Sequence, residues 1–505
     1  MKGTVTVANT YAACVEQPAA RIFYSIAAQN NLRVYGADCS NAFAEAPPPT
    51  EPLYMKIDKQ FRDWWTTHKH RDKLPEKDLF VKVQHAIQGH PEAPRLWQIF
   101  IDGILIDKMG FRNTTHEKCL YVKCINGENV YLLRQVDDVA IASKTKQTAE
   151  AVISEIGSYM KSPIKHEGLT ELFNGVDVQQ TRDFIKVHSD TYLQRVVKRH
   201  GHWMRDIPVS NEPHTMTSTS DYARLLEADE SATIDEIVAL EEEFQFKYRS
   251  ATGELIFALV TTRPDISFPV IKLCQYNGCP GRSHFEAVKK LLIYLRDTST
   301  DGIYFWRKEP NMDLPAVPAP LLRSETYTRT PFPDNNSPLI PFGVADSDWA
   351  SDTTHRKSVS GMGIIFGGAV VAYKSRYQKT IADSSTEAEF YALVELGKML
   401  LYLRSVLDDL GIPQDFASVI YEDNKGVIDI VNSGKPTKRA RHVDTKQFCM
   451  LDWVETDLLE VVKVSTHDNP SDTFTKALPK ILFHRHNEVL MGKVRPEFSS
   501  YQLCP

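Results

Sequence analysis

No stretch of this chain is long and apolar enough to span a bilayer, and no secretory signal opens it. Those absences argue against a secreted or membrane-inserted protein and favour a reducing intracellular compartment. Cysteine is scarce, with eight residues in 505. Cys119 and Cys124, like Cys274 and Cys279, are separated by four residues, yet no His/Cys partners complete a zinc site. Buried free thiols are the better reading. An excess of basic charge is missing as well: the net charge is −6. Any nucleic-acid groove must then be a local basic patch on an acidic protein, with salt-sensitive binding. No internal repeat is visible. The length suits roughly two or three domains, each able to bury a core.

What is present starts with Val136-Asp137-Asp138-Val139, set in the apolar run Tyr131 to Ala142. Apolar runs on either side of a short polar break predict a β-hairpin. Adjacent acids repel and cost desolvation, so a stable core has no use for them. A pair of divalent cations does. An acidic turn accounts for the dipeptide equally well, because Asp is common in turns. A third acid, Asp38, follows the apolar residues of Leu32 to Ala37, which read as a short buried strand. Asp38 could meet Asp137 and Asp138 across a sheet, where the acids could hold two Mg²⁺ against a triphosphate and a primer 3′-hydroxyl. The alternative for Asp38 alone is a helix N-cap.

The ordered motifs add a resemblance. They run Asp38-x-x-x-Ala42-Phe43, Tyr54-Met55, Gly89-x-x-x-Ala93-Pro94-Arg95-Leu96-Trp97, Gly110-Phe111, Cys119-Leu120-Tyr121 and Val136-Asp137-Asp138. In this order the chain resembles the reverse transcriptase of copia-type LTR retrotransposons. Tyr192-Leu193, Tyr248-Arg249-Ser250-x-x-Gly253-x-Leu255, Thr262-Arg263-Pro264-Asp265-Ile266 and Ala287-Val288-Lys289-Lys290 resemble the stretch joining polymerase and nuclease in such Pol polyproteins. The resemblance implies that Asp38, Asp137 and Asp138 bind the polymerase metals. It implies that Phe43 lies under the incoming sugar and excludes a 2′-hydroxyl; an ordinary core Phe is compatible with that role. Gly89 would lie near template and nucleotide, or be a plain turn glycine. Arg95 would pair with phosphate or with a structural carboxylate. The chain departs from the family at Gln135, where Tyr is usual, and in having no basic finger strands ahead of a helix expected within Tyr11 to Asn30. Ile22, Phe23 and Ile26 form that helix's apolar side. A truncated polymerase is the expectation.

Asn211 to Asp235 is polar and weakly patterned, and Pro310 to Pro341 is rich in proline; both read as linkers or exposed loops. Phe342 to Trp349 and Ser418 to Asn424 each read as a strand ending in acids, and Gly361 to Tyr373 as a glycine-punctuated hairpin. Ser384-Ser385-Thr386-Glu387 predicts a capping box, with a helix running to about Leu410 and stopped by Gly411. Asp472 sits at a predicted helix start in Asn469 to Lys476. Asp346, Glu389, Asp423 and Asp472, in that order, resemble the four-carboxylate site of ribonuclease H, with Asp346 preferred over nearby Asp348. Each acid alone reads as a cap or a solvated carboxylate. Hard oxygen ligands suit Mg²⁺ or Mn²⁺, two per active site. The basic loop Lys435 to His442, with Lys438, Arg439 and Arg441, could hold phosphates of a hybrid, or be a solvated loop. His442 and Asp444 match the family's Lys/Arg-His-x-Asp segment.

The expected fold class is multidomain α+β and α/β: a palm-type α+β sheet, then a ribonuclease H-like mixed sheet with helices. The expected domains are 1–205 (palm region, fingers truncated), 206–309 (thumb or connection), 310–341 (linker) and 342–505 (ribonuclease H-like). The resemblance implies an RNA-directed DNA polymerase that also cleaves the RNA of RNA–DNA hybrids, distinguishing it by the 2′-hydroxyl. Its partners would be an RNA template, a DNA primer, deoxynucleoside triphosphates and the hybrid, with no membrane. Its place would be the cytoplasm, in virus-like particles, or the nucleus. The zinc knuckle, protease and integrase motifs of such a polyprotein are missing. The alternative is a retroelement relic that binds nucleic acid, with nuclease activity only or none.

Overall fold

The computed structural model describes residues 10–68, 79–210, 213, 230, 233–324, 339–351, 356–433 and 444–495. Contacts divide the chain into two compact units. The first is Met1–Val15 with Val34–Leu169, and the second is Glu16–Arg33 with Thr170–Pro505.

The first unit holds β1 (Arg33–Cys39), the small pair β2 (Tyr54–Lys56) and β3 (Phe80–Lys82), then β4 (Arg112–Asn113), β5 (Leu120–Ile125), β6 (Glu128–Gln135), β7 (Asp138–Ser143) and β8 (Ile164–Leu169). Six of these form one sheet in the order β4-β5-β6-β7-β1-β8. The predicted hairpin is present: β6 and β7 pair antiparallel, with Gln135 opposite Asp138. Helix Ala93–Asp102 starts with Pro94 in its first turn, where the missing N–H costs nothing. Its Trp97 and Ile101 pack with Tyr121, Leu132 and Ile141 of the sheet and Ile156 of helix Lys146–Ser158. Each such side chain, fully buried, contributes about 1.5–3 kcal/mol.

The second unit carries β9 (Leu172–Phe173), β10 (Val176–Gln180), β11 (Phe184–His188) and β12 (Gly302–Trp306), a four-stranded sheet ordered β12-β11-β10-β9. Helices Asp190–Met204, Tyr248–Thr261 and Arg282–Asp297 lie between β11 and β12 in the chain and share a core around Tyr248, Phe285 and Leu291. A second sheet follows, from β13 (Phe342–Asp348), β14 (Val359–Phe366), β15 (Ala369–Tyr377), β16 (Ser418–Glu422) and β17 (Leu459–Lys463), in the order β15-β14-β13-β16-β17. Its first three strands are antiparallel, and β13–β16 and β16–β17 are parallel. The β14–β15 turn is Gly367-Gly368, both with positive φ, which glycine adopts without steric cost. The chain is thus α+β: a six-stranded sheet with helices, a four-stranded sheet with its helices, and a mixed five-stranded sheet with helices.

Three readings change in detail. The helix expected within Tyr11 to Asn30 spans Gln17–Gln29 and falls in the second unit, not with the strand it precedes. Ile22, Phe23 and Ile26 are buried, but so are Arg21, Ser25 and Gln29. These polar side chains donate to backbone carbonyls: Arg21 to Val371 (2.7 Å) and Thr261 (2.7 Å), Ser25 to Phe366 (3.1 Å), and Gln29 to Trp306 (2.9 Å). Second, residues 310–324 are irregular and mostly exposed, as read, but a few contacts tie them to the second unit. Asn311 N–H donates to Arg182 O, Arg182 N–H donates to Pro315 O, and Leu314 is buried. Third, Ser384 caps helix Ser385–Asp409 by accepting from Glu387 N–H, but the Glu387 carboxylate accepts from Asp383 N–H at 2.7 Å, so the box does not close on Ser384. Most of Asn211 to Asp235, and 325–338, lie outside the described residues. No helix among the described residues is long and apolar enough to cross a membrane.

Candidate active sites

In the first unit, two backbone bonds seat the acidic turn. Cys39 N–H, one residue past Asp38, donates to Asp137 O at 2.8 Å, and Trp97 Nε1–H donates to Val136 O at 2.6 Å. Gln135 Oε1 accepts from Val15 N–H at 2.8 Å. Val136 has φ +54, costly for a β-branched residue, so the surrounding bonds hold the turn in a strained form. Asp137 is exposed, while Asp38 and Asp138 are half-buried. Burial, then Asp137, Glu167 and Asp38, push the Asp138 carboxyl up to about 6. The Cys39 thiol is pushed up to about 12 by burial and then by Asp38 and Asp137. Asp38, Asp137 and Asp138 therefore share one electrostatic neighbourhood, without converging as closely as the acids of the second unit.

Around it, Phe43 is half-buried in the short helix Ala42–Glu45 and packs against the unit's core. Gly89 has φ +88, and a Cβ there would meet nothing within 4 Å. Only backbone conformation demands glycine there. Arg95 is half-buried in the first turn of helix Ala93–Asp102. Sequence reasoning missed Glu167: it lies on edge strand β8, whose Lys165 faces Asp38 across the ladder. Ile164 to Leu169 carries no motif that could have pointed to it.

In the second unit, the ligand atoms of Asp346, Glu389 and Asp423 all lie within 4.8 Å of one another. Three distant elements meet here: the central strand β13, the start of helix Ser385–Asp409, and the end of β16. Asp348, two residues on along β13, is not in the triplet. Asp472 lies in the 3₁₀ turn Pro470–Phe474 and is linked to the triplet by Lys476. Lys476 Nζ is 2.8 Å from Asp472 Oδ1 and 3.6 Å from Asp346 Oδ2. Thr475 Oγ1–H also donates to Asp346 Oδ2. Asn469 holds this turn to β13 by donating to Ala345 O at 2.7 Å. Gln378 pins the helix start by donating to Ala388 O and Ser360 Oγ, both at 2.8 Å.

The electrostatics are those of crowded acids. Burial, then Asp346, Glu422 and Asp423, push the Glu389 carboxyl up to about 11. Burial and Asp346 push Asp472 up to about 8. Asp423 is raised by the same two causes. Glu422, fully buried at the end of β16, is raised well above the usual carboxylate range by burial. Burial works against the Lys476 ammonium, but Asp346 and Asp472 outweigh it and raise its pKa. Glu389 Oε2 and Glu422 Oε2 are buried without a hydrogen-bond partner. Unpaired buried carboxylate oxygens are costly, and a hard divalent cation satisfies them. The residue set fits Mg²⁺ or Mn²⁺.

Glu422, Gln378 and Lys476 were not identified as site members from sequence. Lys476 offered one signal, its i+4 spacing from Asp472. Lys438, Arg439, Arg441 and His442 lie outside the described residues. The described cysteines are free thiols, but only Cys39 and Cys119 are buried; Cys124 is exposed, and Cys274 and Cys279 are half-buried.

A family model described as "Reverse transcriptase (RNA-dependent DNA polymerase)" matches residues 3–207. The chain is 28% identical over 481 residues to the "Retrovirus-related Pol polyprotein from transposon TNT 1-94" of Nicotiana tabacum, covering 94% of this chain and 32% of that protein. It is 26% identical over 476 residues to the corresponding polyprotein from transposon RE2 of Arabidopsis thaliana, covering 94% and 29%. The chain thus spans about a third of the length of these relatives. Among solved structures it is similar to LC11-RNase H1 isolated from compost, with a TM-score of 0.23 and 14% identity, covering 28% of this chain and 93% of that one.

Proposed function

Because this chain belongs to the copia-type Pol family of LTR retrotransposons, we propose that it is an RNA-directed DNA polymerase joined to a ribonuclease H, each working through paired divalent cations. The observation that carries the reading is the convergence of Asp346, Glu389 and Asp423 within 4.8 Å, from segments far apart in the chain. A packed core gains nothing from three such acids; a cation site requires them. When bound, Mg²⁺ or Mn²⁺ supplies Lewis-acid activation of the attacking oxygen and charge stabilisation at the leaving one.

In the nuclease half, Asp346, Glu389, Asp423 and Asp472 hold the cations. Gln378 and Asn469 fix the two segments that carry Glu389 and Asp472. In the polymerase half, Asp38, Asp137 and Asp138 hold the cations, and Trp97 and Cys39 keep the acidic turn in place. Phe43 stands under the incoming sugar. Gly89 and Arg95 meet template or nucleotide, and Lys438, Arg439 and Arg441 meet phosphates of the hybrid. RNA template, DNA primer, deoxynucleoside triphosphates and the RNA–DNA hybrid are the partners.

A second reading rests on Gln135. Its amide oxygen is engaged by Val15 N–H, at the position where the family carries Tyr beside the primer terminus. On that reading the nuclease works and the polymerase does not.

One tube separates the two. Purified protein, Mg²⁺, a labelled primer on an RNA template and deoxynucleotides report extension and RNA cleavage together. Extension lost in Asp137→Asn, with cleavage lost in Asp423→Asn, supports the full reading. Cleavage without extension supports the second. Cleavage that survives Asp423→Asn overturns the site assignment.

A further inference from the structure

The four nuclease carboxylates are not equivalent. Two are already engaged by the adjacent pair Thr475-Lys476: Asp346 takes the Thr475 hydroxyl, and the Lys476 ammonium stands 3.6 Å from Asp346 and 2.8 Å from Asp472. Glu389 Oε2 is buried without a hydrogen-bond partner, and Asp472 Oδ1 has none besides its ion pair with Lys476. The Asp472–Lys476 pair is four residues apart in one segment, so no distant rearrangement is needed to form or break it. The Lys476 side chain is 37% exposed, so its flexible stem can carry the ammonium out to solvent. Asp346 and Asp472 themselves are nearly inaccessible, at 3% and 2%.

We propose that Lys476 is an internal counter-ion that competes with divalent cations for Asp472 and Asp346, and yields when a phosphate of the bound hybrid gives its ammonium another partner. The inference rests on the nuclease reading above. Its physical basis is charge. With Lys476 seated, the carboxylate cluster presents one unit less negative charge to an incoming cation. A cation beside the seated ammonium would also be repelled by it, at a separation where the effective dielectric is low. The ammonium must therefore move before that half of the site fills. A phosphodiester oxygen is the partner that substrate brings, and Lys serves phosphate as a point charge. Cation affinity and hybrid affinity are then coupled, and each raises the other.

The test is Mn²⁺ binding to the full chain, read as free Mn²⁺ by electron paramagnetic resonance. An Asp137→Asn/Asp138→Asn background confines the signal to the nuclease. The chain with Lys476 intact, Lys476→Gln and Lys476→Arg are titrated alone and with a hybrid whose RNA strand is 2′-O-methylated to resist cleavage. Lys476→Gln is expected to bind Mn²⁺ about tenfold more tightly without nucleic acid. The hybrid should tighten Mn²⁺ binding for the intact chain and for Lys476→Arg alike, and much less for Lys476→Gln. Lys476→Met, which keeps the apolar stem, repeats the measurement should the Gln variant not fold. Equal or weaker Mn²⁺ binding by the uncharged variants overturns the proposal. An Asp423→Asn control keeps the two failures apart. If that change leaves Mn²⁺ binding intact, the site itself is misassigned; if it abolishes binding while Lys476→Gln has no effect, only the counter-ion role falls.

Discussion

Asp346 and Gly361 face each other across the β13–β14 ladder, and a Cβ on Gly361 would lie 2.6 Å from Thr475 Cγ2 and 2.9 Å from Ser471 O. The turn that carries Asp472 therefore rests directly on the strand opposite Asp346. The absence of a side chain at 361 is what lets the turn that carries Asp472 pack against the sheet beside Asp346. Part of the obstruction is backbone, which cannot rotate aside.

Gly361→Ala should accordingly push the Asp472 turn off the sheet. We expect a loss of about 1–3 kcal/mol in stability, as for overpacking in a close-packed core. Hybrid cleavage should fall at least about tenfold, since misplacement by an ångström costs more than that. Primer extension should be unaffected. Denaturant unfolding and the one-tube assay check both outcomes.

The raised Glu389 carboxyl makes a pH prediction with a definite sign. Glu389 is raised from 4.5 to about 11, chiefly by burial. Between about pH 4.5 and pH 11 the folded chain thus holds a proton that the unfolded chain has lost. In the absence of divalent cation, this site's contribution to stability is largest at the acid end of that window and declines as pH rises through it. Glu389→Gln should flatten that decline. Cation binding at pH 7 should release protons, seen as a dependence of calorimetric heat on buffer ionisation enthalpy. No proton release would contradict the assignment.

Trp97→Phe removes the donor that holds Val136 O. Losing this bond to a half-buried acceptor costs about 0.5–1.5 kcal/mol. The strained turn should loosen and primer extension should drop, while hybrid cleavage in the same tube stays at the wild-type rate. A parallel fall in both activities would argue for general unfolding instead.

Arg21 is buried with carbonyl partners at Val371, Thr261 and Val260, and its guanidinium lies 4.7 Å from the Tyr373 ring centroid. Arg21→Ala strips those carbonyls of donors and opens a cavity, so the second unit should lose about 2–4 kcal/mol. A chain starting at residue 342 should be poorly soluble, and one that also carries 16–33 and 170–341 should recover. Thermal unfolding followed by hybrid cleavage checks this: nuclease stability insensitive to residue 21 would show that the helix is dispensable.

Short-range chemistry accounts for what could be read along the chain. Asp137-Asp138 between apolar runs predicts a hairpin because each strand's pattern is local. Ser384, Gly411 and the glycines of the β14–β15 turn mark their elements for the same reason: caps and positive φ are properties of a few neighbouring residues. The ordered acids Asp346, Glu389, Asp423 and Asp472 are nominated by their resemblance to the ribonuclease H set; local chemistry alone reads each as a cap or a solvated carboxylate.

Tertiary structure decided everything that depends on which elements meet. The apolar side of Gln17–Gln29 suits any apolar partner, so nothing local assigns it to the second unit; the carbonyls that receive Arg21, Ser25 and Gln29 lie more than 200 residues away. Likewise the i+4 spacing joins Lys476 to Asp472, but its pairing with Asp346, 130 residues earlier, exists only because the 3₁₀ turn lies on β14 across from that acid. Local propensity sets the form of each segment. The close approach of charges, and with it the chemistry, is set by packing between segments that the sequence keeps far apart.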